Sequence, residues 1–544
     1  MISRRDFLRI LGLTTATSLA GWKYPAWAKV RPQCLRGEYD AVIIGAGLGG
    51  LGCAAYMAQN GFKPLVIEQH SVPGGYASSF TRVAEGKTFT CEVSLHGTAA
   101  TANQKMYEDL GVLDKLTFIP HAETWYSIFP DFTFEVPLCG GNLNCFKDIL
   151  IEKFPEEESG ISEYMSYWQN IVAELENYYQ ATLIQLLMFP FIFPTLWDVR
   201  EKTLAEVQNE YISDEKLKAI LSQSCGYYGL PPSKLSAFYY LFPQGTYHMY
   251  GSYNIKGTSQ SLSNALVDVI EDAGGEVILG TKVTEILTSF NRARGVKTED
   301  GESYYANAIV SNAAAPQTFG DLLPETDVPK DYMDKLSSYE PSLSSFNVWL
   351  GLNQDITNTI SRADFSVYPG YDFEKEHEGK LEGDPEKSGF GLFIYDNLDK
   401  DFSPEGCSTI SIMFLCGYDP WKQFETDYFA GNKDAYYEEK NRITEKLISL
   451  AEEYVLPGLS EMIIMKESAT PLTNVRYTAN TRGAIYGYDQ TIDNSFMNRI
   501  SIRTPVRRLY LAGSWSNPGG GYTGALGGGI DTAKAMWNDL FWLF

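Results

Sequence analysis

The chain is short of histidine, of paired cysteines and of long apolar runs, and each shortage removes a class of function. Five His and eight Cys (Cys34, Cys53, Cys91, Cys139, Cys145, Cys225, Cys407 and Cys416) occur in 544 residues, with no C-x-x-C spacing. That leaves few ligands for a zinc or iron centre, so no metal site is expected and the cysteines read as isolated structural thiols. No segment offers about 20 consecutive apolar residues, which excludes a multi-span membrane protein. Positive charge is scarce too: 44 Lys plus Arg face 68 Asp plus Glu, a net charge of −24. Such a surface repels phosphate backbones, so nucleic acid is excluded as a partner. Neither a Ser-His-Asp order nor a paired-carboxylate motif is present to carry hydrolysis.

What is abundant is aromatic. Tyr, Phe and Trp number 35, 29 and 10, in a chain that is 44% hydrophobic and 21% charged. This is the composition of a globular protein with large cores or an apolar pocket. The first thirty residues read as an address. Ser3-Arg4-Arg5-Asp6-Phe7-Leu8-Arg9 is a twin-arginine pattern, Ile10 to Trp22 is weakly apolar, and Ala26-Trp27-Ala28 gives small residues at cleavage spacing. Thirteen residues rise only about 20 Å as a helix, short of the roughly 30 Å hydrocarbon core, which favours a signal over an anchor. Residues 1–28 resemble twin-arginine export signals. That implies a cofactor acquired in the cytoplasm and a mature chain in the periplasm or on the outer face of the cytoplasmic membrane.

The chemistry sits in glycine-rich turns. Tyr39 to Ile44 reads as a buried parallel strand, and Gly45-Ala46-Gly47-Leu48-Gly49-Gly50 follows it directly. An Ala-rich helix, Leu51 to Asn60, and a second strand, Lys63 to Glu68, complete a βαβ opening. In this fingerprint Gly45 permits the tight turn, Gly47 lets backbone approach a pyrophosphate, and Gly50 allows helix–strand packing. Glu68 stands where an acid accepts from an adenosine ribose and disfavours a 2′-phosphate. Gly74 and Gly75, just beyond it, allow close backbone approach to a cofactor, and the pair resembles that of two-dinucleotide-binding-domain flavoproteins, which implies FAD rather than NAD. A closing turn, Leu509 to Gly513 and Ser514, leads to Gly519, Gly521 and Gly524. Too little chain follows for a second βαβ unit, so one dinucleotide site is expected, and stably bound NADH is not.

Four stretches together resemble the phytoene desaturase, carotenoid isomerase and retinol saturase group of two-dinucleotide-binding-domain flavoproteins. They are the fingerprint with Pro73-Gly74-Gly75, Lys256-Gly257 to Asn312, Thr470-Pro471-Leu472-Thr473 to Gly487, and the Pro518-to-Gly524 closure. The resemblance implies an α/β fold: a Rossmann-like FAD-binding domain of the glutathione-reductase type, assembled from residues 38–110, 251–320 and 495–544. An α+β substrate domain would fill residues 111–250 and 321–494. The implied cofactor residues are Gly45, Ala46, Gly47, Leu48, Gly49, Gly50, Glu68, Gly74, Gly75, Arg82 for phosphate, Val283 for adenine, Gly513, Ser514, Gly521 and Gly524. His96, Tyr477 and Tyr486 are candidates to face the flavin. Two departures stand out: Ser514 occupies a position that is often acidic, and Tyr76 one that amine oxidases fill with Arg.

The implied function is an exported FAD oxidoreductase acting on carbon–carbon bonds of an apolar isoprenoid or polyene, by desaturation, saturation or isomerisation. A flavin amine or amino-acid oxidase, with Arg476 as a carboxylate anchor, is the alternative. A non-catalytic FAD-binding protein is the second alternative. Residues 181–197 form the most hydrophobic run, broken by Pro190 and Pro194. They read as a membrane-surface segment at the mouth of an apolar tunnel, with a kinked core helix as the competing reading. A quinone or a small redox protein is the expected electron partner.

Overall fold

The computed structural model describes residues 38–94, 97–324 and 328–541. Residues 1–28, expected to be an export signal, and His96 lie outside the described residues.

Two seven-stranded sheets organise the molecule. The first runs Val283–Thr288, Ala293–Thr298, Ser303–Ser311, Tyr39–Ile44, Pro64–Ile67, Glu276–Ile278, with Leu509–Leu511 also paired to Ser303–Ser311. Its centre is parallel, Ile44 lying opposite both Ser311 and Ile67. Every residue of Tyr39–Ile44 and Pro64–Ile67 is buried. Continuous apolar strands are what a parallel sheet covered on both faces requires. One face is covered by the helices Leu48–Gln59, Ser259–Asp272 and Gly521–Phe541, which share a core with Ile43, Val66 and Val310. The closing helix begins at Gly521.

The second sheet runs Ile463–Ala469, Ser344–Leu352, Ser408–Cys416, Phe390–Ile394, Asp364–Val367, Trp125–Ile128, Thr133–Val136. Ser344–Leu352 pairs antiparallel with Ser408–Cys416 from Ser344↔Cys416 to Leu352↔Ser408. Alternate side chains therefore point to opposite faces. Phe346, Val348, Leu350, Ile410, Ile412 and Phe414 join the helix Asp434–Tyr454 in a core. Ser345, Asn347, Met413 and Leu415 have the other parity, and they line a cavity.

From the helical region Gln223, Tyr227 and Tyr247 reach this cavity. Glu158–Tyr178 buries Ile161, Tyr164, Met165, Trp168, Ile171, Val172 and Leu175, a helical period that sets one stripe against Ala237–Tyr250. The 181–197 run folds as three short helices, Leu183–Leu187, Phe189–Ile192 and Pro194–Val199. The run is divided between core and surface. Leu186, Phe189, Phe193 and Leu196 are core, whereas Leu183, Ile184, Leu187, Met188, Phe191 and Ile192 are exposed. Among the described residues no helix is long and apolar enough to cross a membrane. The cysteine reading needs one correction: Cys139 and Cys145 form a disulfide, because the turn between them brings their Cα atoms to 5.4 Å.

Candidate functional site

A single cavity of about 350 Å³ runs from the glycine turns of the first sheet to the open face of the second. At its nucleotide end, Tyr39–Ile44 runs into Gly45, whose φ of +93° turns the chain into the helix Leu48–Gln59. The N-cap of that helix is Gly47, which has no side chain to cap with. The first-turn N–H groups are therefore left for an anion. The third glycine packs: a Cβ on Gly50 would stand 2.1 Å from the Gly45 carbonyl oxygen. Gly49 meets the closing turn, and its Cβ would stand 2.4 Å from Gly513 Cα.

Glu68 ends the second strand on the cavity wall, accepting from the N–H groups of Ala46 (2.7 Å) and His70 (2.7 Å). The Gly74 N–H donates to the Ala46 carbonyl at 2.7 Å, laying the Gly74-Gly75 turn beside the fingerprint. Gly521 opens the 21-residue closing helix, and a Cβ there would meet no protein atom within 4 Å. Two helix N-termini, an acid at the strand end and Cβ-free passages thus converge on one groove. Those are the demands of a flavin dinucleotide, so the residues present fit FAD.

The sequence-assigned residues divide accordingly. Gly45, Gly47, Leu48, Gly49, Glu68, Gly74, Gly75, Val283, Gly513, Ser514 and Gly521 line the cavity. Ala46, Gly50 and Gly524 stand behind it as packing and hydrogen-bonding backbone. Arg82 requires a correction. It lies on the exposed strand Ser79–Ala84, pairs with Glu467 at 3.0 Å and stacks on Phe80, because that hairpin turns its polar face to solvent. Tyr486 lines the cavity, its ring packed on Gly520. Tyr477 sits at the rim, half exposed and edge-on to His70. Tyr76 donates to the Gly483 carbonyl at 3.2 Å. Arg476 is absent from the wall, its guanidinium lying near the Tyr477 ring.

Two residues escaped the motif reading. Asn312, at the end of Ser303–Ser311, lies under the fingerprint: its Nδ2 is 2.7 Å from where a Gly47 Cβ would be, and its Oδ1 2.5 Å from a Gly49 Cβ. The signal was a polar residue closing an apolar strand. Arg499 is buried and donates to the carbonyls of Ser514 (2.7 Å) and Ser516 (2.9 Å), holding the closing turn from behind. No local pattern marks it. In the wider part of the cavity, burial pushes the hydroxyls of Tyr227, Tyr247, Tyr486 and Tyr522 above the ordinary phenol range. They stay neutral donors at physiological pH.

Fold and groove define the class: the chain is an FAD-dependent oxidoreductase. Residues 43–111 match the model of the NAD(P)-binding Rossmann-like domain. Over 528 residues the chain is 27% identical to prolycopene isomerase of Daucus carota, covering 92% of this chain and 80% of that one. Over 532 residues it is 26% identical to all-trans-retinol 13,14-reductase of Danio rerio, covering 92% and 86%. The resemblance to carotenoid isomerases and retinol saturases is borne out. Among solved structures, a redesigned putrescine oxidase aligns at TM-score 0.61 and 15% identity, over 92% of this chain and 98% of that one. Cyclohexylamine oxidase from Brevibacterium oxydans aligns at TM-score 0.54 and 16% identity, over 92% and 99%. These last likenesses show the fold.

Proposed function

We propose that the protein changes the carbon–carbon double bonds of an apolar isoprenoid or polyene. The observation that carries this is the cavity itself, which is continuous with the cofactor groove and walled by one face of a sheet plus buried aromatics. Similarity over 92% of the chain to enzymes named for a carotene and a retinoid supports it. FAD, when bound, supplies hydride or electron transfer at its ring. The chain supplies the rest. Tyr486, Tyr76 and the Gly513-Ser514 turn border the place for the ring, and Asn347 and Met413 floor the substrate space.

The amine or amino-acid oxidase alternative shares the fold; Arg476, the carboxylate anchor an amino acid would need, is not in the wall, whereas the tyrosines that could cage an amine are. Incubating FAD-loaded protein anaerobically with all-trans-retinol or a poly-cis carotene, in one arm with chemical reductant and in another with the flavin left oxidised, tests the reading. A new isomer, saturated or desaturated product is expected. No polyene product, together with rapid flavin bleaching by primary amines, would overturn it.

Export and electron supply are part of this proposal. Arg4-Arg5 gives the address, and the Cys139–Cys145 disulfide suits an oxidising compartment. An exported flavoprotein with one dinucleotide groove meets little free nicotinamide, so a quinone or small redox protein is the proposed electron partner. The exposed apolar side chains between Leu183 and Ile192 offer a contact with lipid, where quinones and polyenes dissolve.

A further inference from the structure

The wall of the substrate space carries a charged pair that a pure hydrocarbon cannot use. Glu376 and Lys380 lie one turn apart on the helix Phe373–Glu382, with Nζ 2.6 Å from Oε1 and side chains only 6% and 8% exposed. Both line the cavity, beside Tyr368, Ser388 and Gly389. The helix is held in place. Asp372 caps its start, Gly383 ends it in the left-handed conformation, and the Lys380 carbonyl accepts from the Gly417 N–H at 2.7 Å. The pair therefore sits at one end of the open sheet face, where Val367, Phe390 and Leu415 end or begin their strands.

Placing an ion pair there is expensive. Desolvation costs several kcal/mol per ion, and apolar side chains of similar volume generally serve stability equally well or better. Stability gives no reason for the pair, and its position on a ligand cavity gives one. An ammonium has three donors and a carboxylate has two acceptor oxygens, so the single Nζ–Oε1 contact leaves capacity on both. Among the described residues no other ion pair to either head group is found within 4.0 Å.

We propose that Glu376 and Lys380 seat a terminal hydroxyl, so that the substrate is an isoprenoid or polyene alcohol rather than a hydrocarbon or an acid. This rests on the polyene reading of the cavity. A hydroxyl accepts from Lys380 and donates to Glu376 at once. A hydrocarbon would bury the pair with nothing in return. A carboxylate would meet Lys380 favourably but face the like charge of Glu376, with Asp364 on the same cavity wall.

Titrating the full-length, FAD-loaded protein with all-trans-retinol, all-trans-retinoate and the parent hydrocarbon lacking oxygen tests this, read by quenching of intrinsic fluorescence. The alcohol should bind at least tenfold tighter than either other probe. In the double variant Glu376→Leu/Lys380→Met, alcohol and hydrocarbon should come within twofold, with FAD content unchanged. Glu376→Gln alone should improve retinoate binding at least fivefold, a sign that simple loss of packing would not give. Equal wild-type affinity for alcohol and hydrocarbon would overturn the proposal while leaving polyene binding intact. So would a double variant that keeps the preference. Binding of no polyene would remove the parent reading and this one with it. Should the double variant fail to fold, the wild-type ranking and Glu376→Gln still decide.

Discussion

The two ends of the cavity are built from different parts of the chain. The nucleotide end is backbone: Gly45, Gly47, Gly49, Gly75 and Gly513 present amides and bare Cα atoms to the ligand. The substrate end is side chain: Ser345, Asn347, Met413 and Leu415 stand on alternate positions of antiparallel strands. A backbone site tolerates almost no added atom, because the neighbour that must move is itself main chain. A side-chain site can be recut one residue at a time while its sheet stays anchored by the opposite face, where Phe346, Val348 and Ile412 are buried.

The sharpest break in this comparison is Gly49→Val. A Cβ there already meets Gly513 Cα at 2.4 Å and Asn312 Oδ1 at 2.5 Å, so the two glycine turns must part. Flavin absorbance of the purified variant should fall below about a tenth of the wild type. At the other end, Asn347→Leu should keep its flavin. The Asn347 Oδ1 is buried without a hydrogen-bond partner, and removing such an acceptor is close to neutral or stabilising. The melting temperature should hold or rise, while KM for the polyene shifts by roughly tenfold as the wall changes shape. Loss of flavin in Asn347→Leu would show that the two ends are not separable.

The same contrast explains what the sequence reveals. A backbone site has to be written locally, in consecutive glycines between a strand and a helix, so Gly45 to Gly50, Glu68 and Gly74-Gly75 are visible as a string. Tyr39–Ile44 and Pro64–Ile67, the strands on either side of it, show as short, largely apolar runs for the same reason. Asn312 and Arg499 reach their partners from distant chain positions, and no local spacing announces them. The substrate sheet gathers strands from Trp125 to Ala469, and the parity that makes Asn347 a wall residue exists only once the register is set. Arg82 shows the opposite failure: a basic residue at the right offset from the glycine pair, turned outward by its hairpin.

Asp489 lies in the chain segment leading from the substrate sheet to the closing turn. Burial, with the nearby Glu340 charge adding to it, raises its carboxyl to about 7. The folded state therefore holds a proton that the unfolded chain releases near pH 4. The sign follows: this contribution to stability is complete below the unfolded value and is lost as pH rises through about 7. Asp489→Asn should flatten the pH dependence of stability between pH 4 and pH 7 and raise stability at pH 8 by roughly 1–3 kcal/mol. Thermal melts of both proteins at pH 5, 6, 7 and 8 check it. Parallel curves would show that Asp489 does not couple the proton to folding.

The smallest effect on the folded protein is expected outside both ends, in the helical region. No Asp, Glu, Lys or Arg occurs from Asn177 to Trp197. Ile184 is 71% exposed and Phe191 79% exposed, whereas Phe193, two residues on, is 2% exposed and packs in the core. The stretch is thus two-faced, and single substitutions can address each face. Replacing Ile184 and Phe191 by Ser removes only surface, so flavin content should not change and the melting temperature should move by less than about 2 °C. Sedimentation with neutral phosphatidylcholine vesicles should fall at least tenfold if this face meets lipid, since each apolar side chain withdrawn from water contributes about 1.5–3 kcal/mol. Phe193→Ser is the control, costing stability by roughly 3–5 kcal/mol through the cavity it leaves. Unchanged vesicle binding in the Ile184/Phe191 variant would mean that the exposed face serves neither lipid nor the entry of an apolar substrate from it.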